Sequence, residues 1–168
     1  ADPFWHIAFR QYKLILGLPI AMALIIIGAI YQNPNLALFA LGLTAFIGCI
    51  PYFEREFEAH INVSVYRGKD YLLQQLKAGL LNISLLFIPV FITYIICFQW
   101  QYAEVLPLYI SVPILGVLSK YAFWNNTLWQ TLALLAVSIG VIYIIPVIAI
   151  PYFYYLAIQT IKKQQYAQ

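Results

Sequence analysis

Charged residues are almost excluded from two long stretches of this chain. No Asp, Glu, Lys or Arg occurs from 14 to 53, and 78–161 contains only Glu104 and Lys120. Soluble domains carry about 25% charged residues, whereas this 168-residue chain has 9%, with 64% hydrophobic residues. Because a domain of ~150 residues buries only about 70% of its surface, so much apolar surface cannot be kept from water. The pattern excludes a water-soluble enzyme, a nucleic-acid-binding protein and a disordered chain. It predicts a single all-α transmembrane domain, 1–168, with five or six spans.

The N-terminal third predicts an interfacial helix followed by a helical hairpin. Residues 4–13 mix aromatic side chains with Arg10 and Lys13, which is typical of a helix lying in the headgroup layer. The same composition also suits the flank of a first span. Residues 14–52 form two apolar runs joined by a polar turn at 31–35, and this arrangement favours two antiparallel spans.

A polar island, 53–77, separates the hairpin from the remaining spans, 78–161. Of the nine basic and six acidic residues of the chain, eight lie in this island. Lys and Arg favour the cytoplasmic side of a membrane, so the island predicts a cytoplasmic segment. From Lys69 onward its residues follow a helical pattern that continues into the third apolar run, with Gly68 as the break before it.

The positive-inside rule requires an even number of crossings after the island, because Lys162 and Lys163 also favour the cytoplasm. Three apolar runs are available, so one must turn back. We favour a break near Pro146–Pro151 within the long run 128–161, which is too long for one straight span. A re-entrant 105–121, or one kinked helix that ends outside, would be the alternatives.

Five features of the island form a pattern: Glu54, Glu56, Val65, Arg67 and the helix that contains Gln75-Leu76-Lys77. Through this pattern the island resembles the membrane subunit of ABC-type exporters of the drug, polysaccharide and lipid class. In that family an acidic pair after the second span leads to a coupling helix, a Pro-Val-Ser-Arg-like turn and a Leu-rich helix that becomes span three. The similarity covers about 36–98.

The resemblance implies a permease that works with separate ATP-binding subunits. Two permease copies would pair with two ATPases, and ATP hydrolysis would alternate the access of a substrate path. Glu54, Glu56, Arg67 and Lys69 would contact the ATPase and carry the coupling. The partners would therefore be an ATP-binding subunit, a second permease copy and lipid, in a bacterial inner (plasma) membrane.

No catalytic, metal-binding or cofactor-binding residue is predicted in this chain, and ATP with magnesium would belong to the partner. Gly68-Lys69-Asp70 is not a P-loop, since it lacks the upstream glycine and the Ser or Thr after Lys. Two other functions remain open. The chain could be a small membrane enzyme acting on a lipid or isoprenoid through Glu56 and His60, or an accessory subunit of a larger membrane complex.

Overall fold

The computed structural model describes residues 3–54, 61, 64–101, 104, 106–140 and 144–166, and every element in this part of the chain is helical. The prediction of an all-α fold is therefore confirmed. Short 3-10 turns precede the second helix and follow the third. The helices are α1, Pro3–Gln11; α2, Gly17–Ile30; α3, Pro34–Cys49; α4, Gly68–Phe98; α5, Leu106–Ala122; α6, Thr127–Ile139; and α7, Ile145–Tyr166.

Several helices have the length and apolar character of membrane spans. Within the described residues, three segments are both long enough and apolar enough to cross a membrane: Pro34–Phe53, Gly68–Phe98 and Ile145–Gln165. Helices α1 and α2 reach the length and apolar character of a span only when they are counted together, and the chain bends by 71° where they meet. Helix α6 has 13 residues and is about 20 Å long, which is less than a hydrocarbon core of ~30 Å. These long apolar helices are compatible with an integral membrane protein.

Helices α2 and α3 form a hairpin whose turn is specified locally. The backbone N–H of Asn33 donates to the Gly28 carbonyl at 2.7 Å, and the Asn33 side chain caps α3 by accepting from the Asn35 N–H at 3.1 Å. Pro34 occupies the first turn of α3, where its missing N–H removes no helical hydrogen bond. A Cβ at Gly28 would lie 3.0 Å from the Asn33 carbonyl oxygen, so a larger residue there would crowd the tight turn.

Helix α5 lies at the centre of the bundle and packs against α3, α4, α6 and α7. Gly42 faces Tyr109 of α5, and further along α3 Gly48 faces Pro113, so α3 and α5 run in the same direction. Helix α4 runs the opposite way, since the Tyr71 ring near its start meets the Tyr121 ring near the end of α5, with centroids 6.0 Å apart. The ends of α3 and α5 therefore lie beside the start of α4.

The break in the long C-terminal run lies earlier than the sequence predicted. Helix α6 ends at Ile139 and α7 begins at Ile145, so Pro146 is the second residue of a helix, where it breaks no hydrogen bond, and Pro151 lies inside that helix. A Cβ at Gly140 would lie 2.6 Å from the Ile145 side chain. The glycine permits this close return of the chain, and the break precedes both prolines.

We expect Gly79→Ala to destabilise the bundle. A Cβ at Gly79 would lie 2.7 Å from Cγ2 of Val117 and 2.9 Å from the Tyr52 hydroxyl oxygen. Such overpacking costs about 1–3 kcal/mol. Thermal unfolding in mild detergent should show this loss of stability as a lower melting temperature. Gly42→Ala is the matched control, because its new methyl would meet Tyr109 at an ordinary 3.6 Å; equal melting temperatures for the two variants would contradict this account.

Candidate functional site

The basic side chains gather at one end of the bundle, which we call the charged end. It is formed by the end of α1, the end of α3, the start of α4 and the ends of α5 and α7. At the opposite end, the described residues carry one charged side chain, Glu104, which is exposed. The Lys and Arg residues that the structure describes at the charged end are Arg10, Lys13, Arg67, Lys69, Lys77, Lys120, Lys162 and Lys163.

Loop 64–67, which leads into α4, is the part of the polar island that the structure describes most fully. Its turn is closed by Ser64, whose hydroxyl accepts from the Tyr66 N–H at 3.2 Å. The Asp70 N–H in turn donates to the Arg67 carbonyl at 3.0 Å. These local hydrogen bonds give the loop a defined shape, and the role of Ser64 is one that serine hydroxyls commonly have in turns.

Gln165 of α7 ties this loop to the C-terminal helix. Its Oε1 accepts from the Gly68 N–H at 2.7 Å, and its Nε2 donates to the carbonyls of Ile61 and Tyr66, each at 3.3 Å. The side chain is only 8% exposed, so these bonds form away from bulk water. Gly68 has φ +49°, a left-handed conformation that glycine adopts without strain. The residues on both sides of the loop are thus held by one buried amide.

The same loop presents an exposed apolar and basic surface. Val65 is 92% exposed, and Tyr66, Arg67 and Lys69 are exposed beside it. An adjacent open groove has a volume of about 320 Å³ and is lined by Tyr66, Asp70, Leu73, Gln74 and Lys77. The tip of this loop is thus an exposed apolar side chain bordered by an aromatic ring and by charged residues.

Glu54 lies at the charged end in a different environment from Arg67. It follows the 3-10 turn after α3 and is exposed, and its carboxylate accepts a hydrogen bond from the Tyr12 hydroxyl. This hydrogen bond, with the negative charge of Glu54, raises the pKa of Tyr12 above its ordinary value. The contact joins the end of α3 to the bend between α1 and α2.

The structure brings three of the four predicted partner-binding residues to the charged end. Glu54, Arg67 and Lys69 are exposed there, and Glu56 lies outside the described residues. Glu58 and His60 lie outside them as well. Among the residues that are described, no three His, Cys, Asp or Glu side chains cluster as metal ligands would.

Sequence reasoning missed Tyr12 and Gln165, because neither belongs to a motif and each has its partners far away in the chain. Gln165 is separated from Gly68 by 97 residues. No protein-family model, curated protein or solved structure matches this chain.

We expect Gln165→Leu to loosen loop 64–67. The variant leaves the buried Gly68 N–H without its acceptor, and an unsatisfied buried group costs about 1–3 kcal/mol. Hydrogen–deuterium exchange should become faster at 64–68. Gln159→Leu changes an exposed glutamine of the same helix and should leave that exchange unchanged; an equal effect of both variants would show that Gln165 does not hold the loop.

We expect the Tyr12 hydroxyl to titrate above pH 10.0, the ordinary value for tyrosine. A pKa that is higher in the folded state means that the Tyr12–Glu54 contact stabilises the fold below pH 10 and loses this effect as pH rises through the shifted pKa. NMR titration of ¹³C-labelled tyrosine should show a resonance that Tyr12→Phe removes. In Glu54→Gln the pKa measured from that resonance should return toward the ordinary 10.0. A Tyr12 pKa that is not raised in the parent protein would argue against the contact.

Proposed function

We propose that this chain is the permease subunit of an ATP-driven ABC-type exporter, which dimerises and pairs with separate ATP-binding subunits. The observation that carries the proposal is the exposed loop 64–67 at the charged end, directly continuous with the long helix α4. In such a permease this end would face the cytoplasm of a bacterium and the bundle would cross its inner membrane.

The distribution of charge supports that orientation. Every Lys and Arg that the structure describes is at the charged end, together with the loop and the end of α7. Basic residues concentrate on the cytoplasmic side of membrane proteins. In the proposed topology α2, α3, α4 and α5 each run from one end of the bundle to the other, the short α6 leads away from the charged end, and α7 returns to it.

Helix α4 connects loop 64–67, the proposed docking loop, to the interior of the helical bundle. It has 31 residues and is therefore about 46 Å long, more than a hydrocarbon core of ~30 Å requires. Its charged residues lie in its first ten positions, from Lys69 to Lys77. A bound ATPase that displaces loop 64–67 would also move the membrane part of α4. In this proposal, that movement changes the access of the substrate path.

The loop also has the residue chemistry needed to bind a motor subunit. Val65 offers an apolar contact, and Arg67 and Lys69 offer charge-assisted hydrogen bonds to carboxylates. Glu54, and Glu56 near it in sequence, would add acceptors for basic residues of the ATPase. ATP and magnesium would be held by that partner, whose hydrolysis this chain would convert into movement.

We expect Arg67→Glu to disrupt the assembly. The permease would be co-expressed with an ATP-binding subunit encoded beside it, purified in mild detergent and assayed for bound ATPase and ATP hydrolysis. Losing a charge-assisted contact of about 1.5–3 kcal/mol should weaken retention roughly tenfold or more. Glu104→Lys is the matched control, since it reverses one exposed charge at the opposite end. ATPase retention that survives Arg67→Glu unchanged would count against the proposal.

Orientation can be tested independently of the partner. We expect a cysteine at Lys69 to react with a membrane-impermeant maleimide only when the cytoplasmic side is exposed, and a cysteine at Glu104 to react from outside. Both side chains are exposed, so accessibility within the fold is matched. Both native cysteines, Cys49 and Cys97, would be replaced by serine first. Labelling of position 69 from the external medium alone would refute the cytoplasmic docking loop.

A further inference from the structure

A crevice between α1 and α4 contains a buried amide whose hydrogen-bonding groups are unused. Asn82 is only 1% exposed, and neither its Nδ2 nor its Oδ1 has a hydrogen-bond partner. A buried amide without partners costs free energy that a bound ligand can recover. The side chain therefore marks a place where a molecule with both an acceptor and a donor would bind.

The walls of this crevice are otherwise mostly apolar. It has a volume of about 210 Å³ and opens to the surface. On one side the rings of Trp5 and Phe9 stack with centroids 4.7 Å apart, and the Trp5 indole donates to the Gly48 carbonyl at 3.4 Å, which holds α1 against α3. The remaining lining residues are His6, Ile15, Leu18, Leu85 and Leu86.

The depth of Asn82 identifies the layer of a bilayer that it would meet. Lys77 is the last charged residue of α4, and Asn82 lies five positions further, about 7.5 Å along the helix axis. The apolar face of an interfacial helix lies about 5–10 Å into the boundary between headgroups and acyl chains. This is the layer of glycerol esters, whose carbonyl oxygens accept hydrogen bonds.

We propose that the crevice binds an anionic glycerophospholipid with a hydroxyl-bearing headgroup, from the leaflet at the charged end. Asn82 Nδ2 donates to an acyl-ester carbonyl and Oδ1 accepts from a headgroup hydroxyl. An acyl chain lies against Leu18 and Leu85, and the phosphate is attracted by the excess of Lys and Arg at this end. The site goes beyond the proposed function, because it requires the bundle and a bilayer but no ATPase.

The test compares two lipids that differ only in the predicted acceptor. Diester phosphatidylglycerol and its diether analogue, which lacks the ester carbonyls, are added in turn to the full chain in mild detergent, and native mass spectrometry measures the lipid-bound fraction. We expect the parent protein to retain the diester lipid about fivefold better, the effect of one typical hydrogen bond. In Asn82→Leu this preference should disappear. Equal retention of both lipids by the parent protein, or a preference that persists in Asn82→Leu, overturns the proposal.

A second pair of variants decides the matter if Asn82→Leu fails to fold. Leu85 lines the crevice and is 66% exposed, and Ile92 lies two turns further along α4 and is 53% exposed. Leu85→Trp should fill the crevice and abolish retention of both lipids, whereas Ile92→Trp should retain the diester lipid like the parent. Equal lipid retention by these two variants would overturn the proposal. Neither result would bear on ATPase retention.

Discussion

Charge segregation is the constraint on which the rest of this structure depends. An ionised side chain is costly to bury in apolar surroundings, so a chain with one charge-free stretch, 14–53, and a second stretch, 78–161, that carries only Glu104 and Lys120 places most of its charged residues where those stretches end. In the described residues these ends are brought together: the bend after α1, the end of α3, the start of α4 and the end of α7 lie on one side of the bundle. Loop 64–67 projects from that side.

Two polar contacts hold these helix ends in fixed positions relative to one another. Gln165 connects α7 to the loop through three hydrogen bonds, and the Tyr12 hydroxyl connects the bend after α1 to Glu54. The Gln165 amide is buried, so removing it would leave its backbone partners without hydrogen bonds. The Gln165 contact is therefore the stronger of the two. The proposed docking loop and the proposed lipid crevice both adjoin α4, the loop at its first residue and the crevice near Asn82. A bound lipid and a bound ATPase would therefore act on the same helix.

Local sequence signals located several elements, and their physical reasons are local as well. Asn33 and Pro34 cap a helix and close a turn through bonds to neighbours two to five residues away, so the hairpin turn could be read directly. The helical pattern from Lys69 likewise lies within α4. The C-terminal break was placed too late, because a proline does not by itself end a helix of this bundle: Pro151 lies inside α7, as Pro89 lies inside α4 and Pro113 inside α5. At Pro146 the helix has just begun, and the close return of the chain at Gly140 depends on a packing contact with Ile145 that no sequence pattern reveals.

The sequence by itself determined that this chain is an apolar all-helical protein with its charge concentrated in one central island, since composition and periodicity act through solvent and through near neighbours. It also indicated Glu54, Arg67 and Lys69 as exposed polar residues of that island. Only the tertiary structure decided that Gln165 holds the loop, that Tyr12 meets Glu54 and that Asn82 is buried without a partner. Each of these depends on how distant helices pack, and packing is set by complementary shapes that are specified jointly by many residues.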